Sequence, residues 1–319
     1  MDGMLGGRRR REDADRVVDR RTLLAGLLGA ATLAGCTASK LTLSHPTTRS
    51  SPAPSTSPVA PRLPSVRSRA RTPSPTAPSR TAKPRHATPA QIIARATVPV
   101  LCWHQLRDWR PDDDATARSQ LVCPPRHFRA QLDALQHDGW TTISPDQYLA
   151  HLTTGARLPP KAVLLTFDDS QQSQITEGLP QLLARGMTAT FFLMTVVFDK
   201  PDWMTTRDVA RLAKSGMTVA AHTWDHHPAD RYSGADWRTQ LDQPKALLEK
   251  LTGRPVVHFA YPYGVWNRAD FPHLAAAGYQ TAFQLRQFPM DHTHPLYTLR
   301  RTIVVSTWSG ADLLAAIRR

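Results

Sequence analysis

The first 96 residues of this 319-residue chain contain no Phe, Trp or Tyr. Residues 37–96 also contain no Asp or Glu, and they carry ten Lys and Arg among 11 Pro, ten Ser and nine Thr. A segment with so few large apolar side chains cannot bury enough surface to offset the conformational entropy that folding costs. The composition therefore predicts a disordered Pro/Ser/Thr/Arg-rich tether over residues 36–96.

Cysteines and long apolar runs are also scarce. The chain has three cysteines, too few for a small disulfide scaffold. No apolar run approaches the roughly 20 residues that a bilayer-spanning helix needs. Cys102 and Cys123 lie in the aromatic-rich part of the chain, and their spacing leaves open whether they form a disulfide.

The formal net charge of +14 is unevenly distributed. Residues 37–96 carry +10, whereas residues 97–319 hold 23 basic and 21 acidic side chains. Proteins that bind single-stranded nucleic acid interleave basic side chains with aromatic ones, and the tether has no aromatic residue. We therefore expect no nucleic-acid partner. We expect the basic tether to lie against anionic envelope polymers or lipid head groups.

Residues 1–35 have the pattern of a signal peptide. Seven arginines precede an apolar run from Leu23 to Leu33, which is too short to span a bilayer. The segment Leu33-Ala34-Gly35-Cys36 resembles a bacterial lipobox, which implies cleavage before Cys36 and lipid attachment to its sulfur. Arg20-Arg21 resembles the pair in a twin-arginine signal. This interpretation predicts an exported protein, lipid-anchored to the outer face of the cytoplasmic membrane.

Residues 97–319 alternate strand patterns with helical patterns and are long enough for one full-sized core. In four places a helical pattern is followed by a glycine and then a strand pattern, at Gly139, Gly186, Gly216 and Gly278. Glycine directly after a helix adopts a left-handed backbone without steric cost. Repeated helix–glycine–strand units indicate a parallel sheet. The predicted fold is α/β, a distorted (β/α) barrel of about seven strands that forms a single catalytic domain.

Three strand patterns end in groups able to bind a metal ion. Asp168-Asp169 follows one strand, His222 to His227 follows another, and His104 follows the first. Polar residues at the carboxyl ends of barrel strands face a shared site. One carboxylate and two imidazoles suit Zn²⁺ or a similar divalent ion, and a second carboxylate can act as a base toward water. The pattern thus predicts a metal site with a neighbouring base.

Three motifs resemble those of the polysaccharide deacetylases with NodB homology, carbohydrate esterase family 4. They are Thr166-Phe167-Asp168-Asp169, His222-Thr223-Trp224-Asp225-His226-His227 and Phe259-Ala260-Tyr261-Pro262-Tyr263-Gly264. The resemblance covers roughly residues 97–310. It implies a NodB-type barrel and a metal-dependent hydrolase that removes N-acetyl groups from an N-acetylhexosamine polysaccharide. Poly-N-acetylglucosamine, peptidoglycan and a chitin-like polymer are the expected substrates.

The resemblance also implies a role for each motif residue. Asp168 would be the general base, and Asp169 and His222 would be metal ligands. The third ligand is His226 by the pattern of most of the family and His227 by the pattern of the most similar subset. The motif comparison slightly favours His227 and leaves His226 open. One divalent metal is implied, with Zn²⁺ as the expected ion.

The remaining roles depend on where the chain departs from the family. The backbone N–H of Tyr263 would help to stabilise the oxyanion. Ala260 stands where the family has an Arg that orients the base, and Arg300 or Arg301 is the candidate replacement. The segment that ends in His104 resembles the opening of biofilm poly-N-acetylglucosamine deacetylases, which implies that His104 is the general acid.

Two other functions share these sequence features. An O-acetyl esterase acting on xylan or another O-acetylated glycan would use the same metal and differ only in its leaving group. A catalytically silent wall-binding lipoprotein would keep the fold. Retention of Asp168 and of the metal-binding residues favours an active enzyme over the silent protein.

Overall fold

A computed structural model describes residues 87–318 of the chain. The predicted signal peptide over residues 1–35, the lipid-attachment residue Cys36 and the tether up to residue 86 lie outside the described residues, so they stay predictions. Across residues 87–318, no helix has the length and apolar character that crossing a membrane requires.

The folded part begins earlier than residue 97, which corrects the predicted end of the tether. Helix α1 spans Pro89–Arg95 and buries Ile92. Thr88 caps it in a reciprocal box with Gln91, an arrangement that satisfies two backbone donors at a helix start. The guanidinium of Arg95 donates to the carbonyl of Leu152 at 2.9 Å. The helix follows directly on a segment rich in Pro, Ser and Thr, and the composition of that segment hides its start.

Strands and helices alternate through residues 100–317 as the sequence predicts. The strands are β1 Val100–Trp103, β2 Thr141–Thr142, β3 Ala162–Asp168, β4 Thr190–Leu193, β5 Thr218–Ala221, β6 His258–Ala260, β7 Thr281–Leu285 and β8 Leu299–Ile303. The helices that follow α1 are α2 Pro125–His137, α3 Pro145–Thr154, α4 Leu179–Ala184, α5 Thr206–Lys214, α6 Gln243–Thr252, α7 Asp270–Ala276 and α8 Gly310–Ile317.

Seven of the described strands close into a parallel barrel. The order is β1-β8-β7-β6-β5-β4-β3, and β1 also pairs with β3, with Val100 opposite Leu164. The short β2 pairs with the first residues of β3, so that Thr141 lies opposite Ala162. The prediction of an α/β barrel of about seven strands that forms a single catalytic domain is confirmed. The four predicted glycines all have a positive φ, from 63° at Gly186 to 83° at Gly278.

Side chains alternate across the barrel wall, as expected for strands. Val163, Leu165 and Phe167 belong to a core cluster that also contains helix residues. Leu164 belongs to a second cluster, together with Phe192 and other residues from several strands. Asp168 shares the alternation of Leu164 and therefore projects toward the barrel interior at the carboxyl end of β3.

The two cysteines of the described residues are both free thiols. Cys102 lies on β1 and Cys123 precedes α2, and both are buried. Burial raises the pKa of the Cys123 thiol to about 12. The disulfide that the spacing left open is therefore not formed within residues 87–318.

Candidate active site

The residues predicted for the site meet at one end of the barrel. Asp168 ends β3, His222 directly follows β5, and His104 directly follows β1. Tyr263 lies in the turn after β6. Because the strands are parallel, their carboxyl ends all open onto the same face.

Asp169, His222 and His226 form a compact group on this face. One potential ligand atom from each residue lies within 4.8 Å of the others. Nε2 of His222 is 3.5 Å from Oδ1 of Asp169, and Nε2 of His226 is 3.4 Å from the same oxygen. The two imidazole rings pack edge to face, with their centroids 5.0 Å apart.

Unusual backbone conformations place these three side chains. Asp169 and Ser170 both have a positive φ, 78° and 66°, which is sterically costly for residues with a side chain. Ser170 Oγ accepts from the N–H of Met194 at 2.9 Å and donates to its carbonyl at 3.0 Å. These two bonds fix the Asp169 turn against the end of β4.

A second left-handed turn directs the two candidate third ligands, His226 and His227, to different surroundings. Thr223 and His226 have φ values of 70° and 68°, and the N–H of His226 donates to Oγ1 of Thr223 at 2.9 Å. This turn returns the His226 ring to Asp169. The ring of His227 instead stacks on Tyr232, with centroids 5.9 Å apart. The structure thus groups His226 with Asp169, contrary to the slight preference for His227.

The arrangement fits a divalent ion. Among the described residues, Oδ1 of Asp169 is buried without a hydrogen-bond partner. Nδ1 of His222 lies 2.7 Å from the carbonyl oxygen of Ala260. A carbonyl only accepts, so Nδ1 carries a proton, and in the neutral imidazole the lone pair of Nε2 is available to a metal. One carboxylate oxygen and two imidazole nitrogens form a donor set suited to Zn²⁺.

Arg301 binds Asp168 from inside the barrel. Its Nη1 donates to Oδ1 of Asp168 at 2.6 Å and its Nη2 donates to Oδ2 at 2.8 Å. Burial opposes ionisation of Asp168, but Arg301 and then His222 outweigh it, so the pKa of Asp168 lies below its ordinary value. Arg300 points elsewhere, and its Nε donates to the carbonyl of Arg286 at 3.1 Å. Of the two candidates, Arg301 is therefore the arginine that lies against Asp168.

His104 lies close to Asp168, directly after β1. Cys102, His104 and Asp168 each have a potential ligand atom within 4.8 Å of the others. Within the described part of the chain, Nδ1 of His104 is buried without a hydrogen-bond partner. Burial lowers the pKa of His104 below its ordinary value, although Asp169 and Asp168 act in the opposite direction.

Gln174 connects the two strands that carry His104 and Asp168. Its Nε2 donates to the carbonyl of His104 at 2.8 Å and to that of Asp168 at 2.5 Å. Nothing in the sequence marks this residue, because a glutamine six residues after an aspartate has no distinctive pattern. Its bonds hold the ends of β1 and β3 in a fixed relation.

Tyr263 lies at the rim of the group. It has a φ of 59°, and its side chain is 47% exposed. Its ring packs edge to face on His226, with centroids 4.5 Å apart. The contact shows that the turn after β6 adjoins the Asp–His–His group, while the role of the Tyr263 backbone N–H stays a prediction.

Comparisons with known proteins find a matching family model and similar sequences. Residues 155–282 match the family model for polysaccharide deacetylase. The YxkH protein of Bacillus subtilis is 23% identical over 222 residues, which cover 70% of this chain and 76% of that protein. The poly-beta-1,6-N-acetyl-D-glucosamine N-deacetylase of Escherichia coli is 26% identical over 231 residues, which cover 58% of this chain and 33% of that protein.

A solved structure supports the fold. The Streptococcus pyogenes deacetylase PplD, in complex with acetate, has a TM-score of 0.64 and 23% sequence identity. The match covers 69% of this chain and 97% of PplD. Together with the closed barrel and the three motifs at its carboxyl face, the family match over residues 155–282 identifies a NodB-type polysaccharide deacetylase domain in this chain.

Proposed function

We propose that this protein is a metal-dependent hydrolase that removes N-acetyl groups from an N-acetylhexosamine polysaccharide. The observation that carries the proposal is the Asp168–Arg301 pair beside the group formed by Asp169, His222 and His226. Metal-dependent amide hydrolysis uses a carboxylate that removes a proton from water and a metal ion that polarises the carbonyl. A fixed carboxylate next to a potential metal site can supply both. The name of the Escherichia coli relative supports an N-acetyl substrate.

Three residues would hold the metal ion. Asp169, His222 and His226 supply one oxygen and two nitrogens, and Zn²⁺ is the ion that this donor set suits. When bound, the ion would act as a Lewis acid on the acetamide carbonyl and on the attacking water.

Asp168 would remove a proton from the attacking water. Each of its oxygens accepts one bond from Arg301 and keeps a second lone pair for that proton. Arg301 keeps the carboxylate ionised and prevents it from rotating. The hydroxide equivalent adds to the carbonyl carbon, and the tetrahedral oxyanion would accept a hydrogen bond from the backbone N–H of Tyr263.

His104 would complete the reaction by protonating the departing amine. The C–N bond breaks, the sugar nitrogen gains the proton, and acetate is released. A lowered pKa makes protonated His104 a stronger acid, and the nearby Asp168 and Asp169 favour its protonated form. An amine leaves poorly unless it is protonated, so this transfer is essential to turnover.

We further propose that the domain acts outside the cytoplasmic membrane. The lipobox-like segment before Cys36 and the basic tether that follows it support a lipid-anchored protein at an anionic envelope. Metabolic labelling with a radioactive lipid precursor tests this proposal. Wild-type protein should be labelled, and label on a Cys36→Ser variant would contradict it.

Acetate release is the direct test of the activity. Purified protein is incubated with poly-N-acetylglucosamine, peptidoglycan and chitooligosaccharides, with and without a chelator. Acetate and new free amines in equal amounts, lost on chelation and restored by Zn²⁺, would support the proposal. Acetate without new amines from an acetylated xylan would indicate an O-esterase. Glycan binding without acetate release would indicate a silent wall-binding protein.

A further inference from the structure

A cleft of about 340 Å³ opens on the catalytic face over the ends of β7 and β8. Its size lies at the lower end of the range of small-molecule sites, roughly 300–1,000 Å³. Two amide side chains, three arginine or threonine residues and several aliphatic residues line it: Gln120, Leu285, Arg286, Gln287, Arg301, Thr302, Ile303 and Val305. This mixture of amides and aliphatic groups suits the hydroxyls and the apolar face of a sugar ring.

Two residues that line the cleft also contact parts of the candidate site. Arg301 lines it and binds Asp168 at 2.6 Å. Leu285 also lines it and packs against the turn that contains Tyr263, since a Cβ added at Gly264 would lie 2.7 Å from Cγ of Leu285. The cleft therefore lies at the carboxyl ends of β7 and β8, next to residues that contact Asp168 and the turn of Tyr263.

The cleft has positive charge without matching negative charge. None of its lining residues is acidic. Arg301 is neutralised by Asp168, but Arg286 is exposed and its guanidinium has no ion-pair or hydrogen-bond partner among residues 87–318. Arg300 is also exposed and reaches the carbonyl of Arg286. The guanidinium of Arg300 thus lies against the backbone of Arg286, a lining residue of the cleft, and neither arginine forms an ion pair with an acidic side chain of residues 87–318.

We propose that this cleft binds the sugar next to the one that is deacetylated, and that Arg286 and Arg300 recognise a carboxylate on that sugar. Guanidinium groups bind carboxylates through paired, charge-assisted hydrogen bonds. The inference rests on the proposed deacetylase function and narrows its substrate. An N-acetylmuramic acid unit carries such a carboxylate on its lactyl group, whereas poly-N-acetylglucosamine and chitin carry none.

A matched pair of substrates tests the proposal. Oligosaccharides that alternate N-acetylglucosamine and N-acetylmuramic acid are prepared with the lactyl carboxylate free or as its methyl ester. Wild-type kcat/KM should be about two- to fivefold higher for the free acid, and added salt should reduce the preference. Arg286→Gln should abolish the preference and Arg286→Lys should retain part of it. Arg254→Gln, an exposed arginine after α6, should leave the preference intact.

Binding measurements separate this proposal from the activity itself. The same pair in de-N-acetylated form is titrated calorimetrically into wild-type protein and the Arg286→Gln variant. Tighter binding of the free acid by wild type, lost in the variant, would support the subsite even without turnover. Equal binding of acid and ester by wild type, or an undiminished preference in Arg286→Gln, would overturn it. Acetate release from neutral chitooligosaccharides would then show that the deacetylase proposal stands independently.

Discussion

Replacement of Arg301 by methionine is the most informative perturbation of this site. The change removes the guanidinium and keeps a side chain of similar length inside the barrel. It leaves the Asp168 carboxylate, which is 4% exposed, without the counter-ion that lies 2.6 Å away in the wild type. Both stability and catalysis should respond, because the same pair buries a charge and orients the proposed base.

The size of each effect follows from the burial of the pair. Breaking a buried ion pair by removing one partner costs about 3–5 kcal/mol, so the free energy of unfolding should fall by about that amount. A reacting group that is displaced by about 1 Å loses on the order of 100-fold in rate, which sets the expected loss in kcat/KM. Without Arg301 the pKa of Asp168 rises, and the acid limb of the kcat/KM profile should move to higher pH.

A double-mutant cycle and a pH profile measure these effects together. Urea unfolding of Arg301→Met, Asp168→Asn and the double variant should give a coupling energy of about 2–3 kcal/mol. Arg301→Lys keeps the charge with a less suitable geometry, and it should fall between wild type and Arg301→Met in stability and in rate. It also provides a folded variant for the pH profile if Arg301→Met is too unstable.

Three results would refute this reasoning about Arg301. The first is an unfolding free energy of Arg301→Met equal to that of wild type. The second is a coupling energy near zero in the cycle with Asp168→Asn. The third is an acid limb that does not move in a variant with reduced activity, since a purely structural role would lower the rate without changing the ionisation of Asp168.

Three further predictions concern the base, the metal ligands and a buried carboxyl group. Asp168→Asn should abolish acetate release yet retain bound metal by atomic absorption, and near-normal activity would contradict its role as base. In a chelator competition, His226→Ala should weaken Zn²⁺ binding by at least roughly 10–100-fold, the effect of losing a residue that only supports a ligand. His227→Ala should leave Zn²⁺ binding unchanged. Weaker binding in His227→Ala and unchanged binding in His226→Ala would identify His227 as the ligand. Burial raises the pKa of Asp270 from 3.8 to about 7, so its contribution to stability is full below pH 4 and is lost as the pH rises toward 7. As the pH rises across that range, the unfolding free energy of wild type should fall relative to that of Asp270→Asn by about 1.4 kcal/mol per pH unit. If urea unfolding gives the same difference between the two proteins at every pH, Asp270 does not titrate in this way.

Features that depend on neighbouring residues could be predicted from the sequence. Gly186 and Gly278 mark helix ends because the left-handed position directly after a helix is a local requirement, and both have a positive φ. Asp168 and His222 each follow an apolar strand, and a strand end is visible as a change in local pattern. Because parallel strands end on one face, these two residues could be expected to meet although they lie on different units.

Features that depend on exact backbone angles could not be predicted in the same way. The choice between His226 and His227 depends on the left-handed turn from Thr223 to His226, which nothing in the residue types dictates. Helix α1 is stabilised by the burial of Ile92, which depends on contacts with residues distant in the sequence. In both cases a short segment has several acceptable conformations, and contacts from elsewhere in the barrel select one.

The sequence by itself determined that the chain has a βα-repeat domain with carboxylates and imidazoles at its strand ends. Each of these properties depends on residues that are neighbours in the sequence. Only the tertiary structure decided that Arg301 binds Asp168 from 133 residues away. Closure of the barrel through β1 and β3 brings β8 next to β1, and the inward alternation of β8 aims Arg301 at the end of β3. Ala260 cannot supply a guanidinium to Asp168, and the guanidinium that contacts Asp168 comes from Arg301 on a different strand. No local sequence pattern encodes this contact.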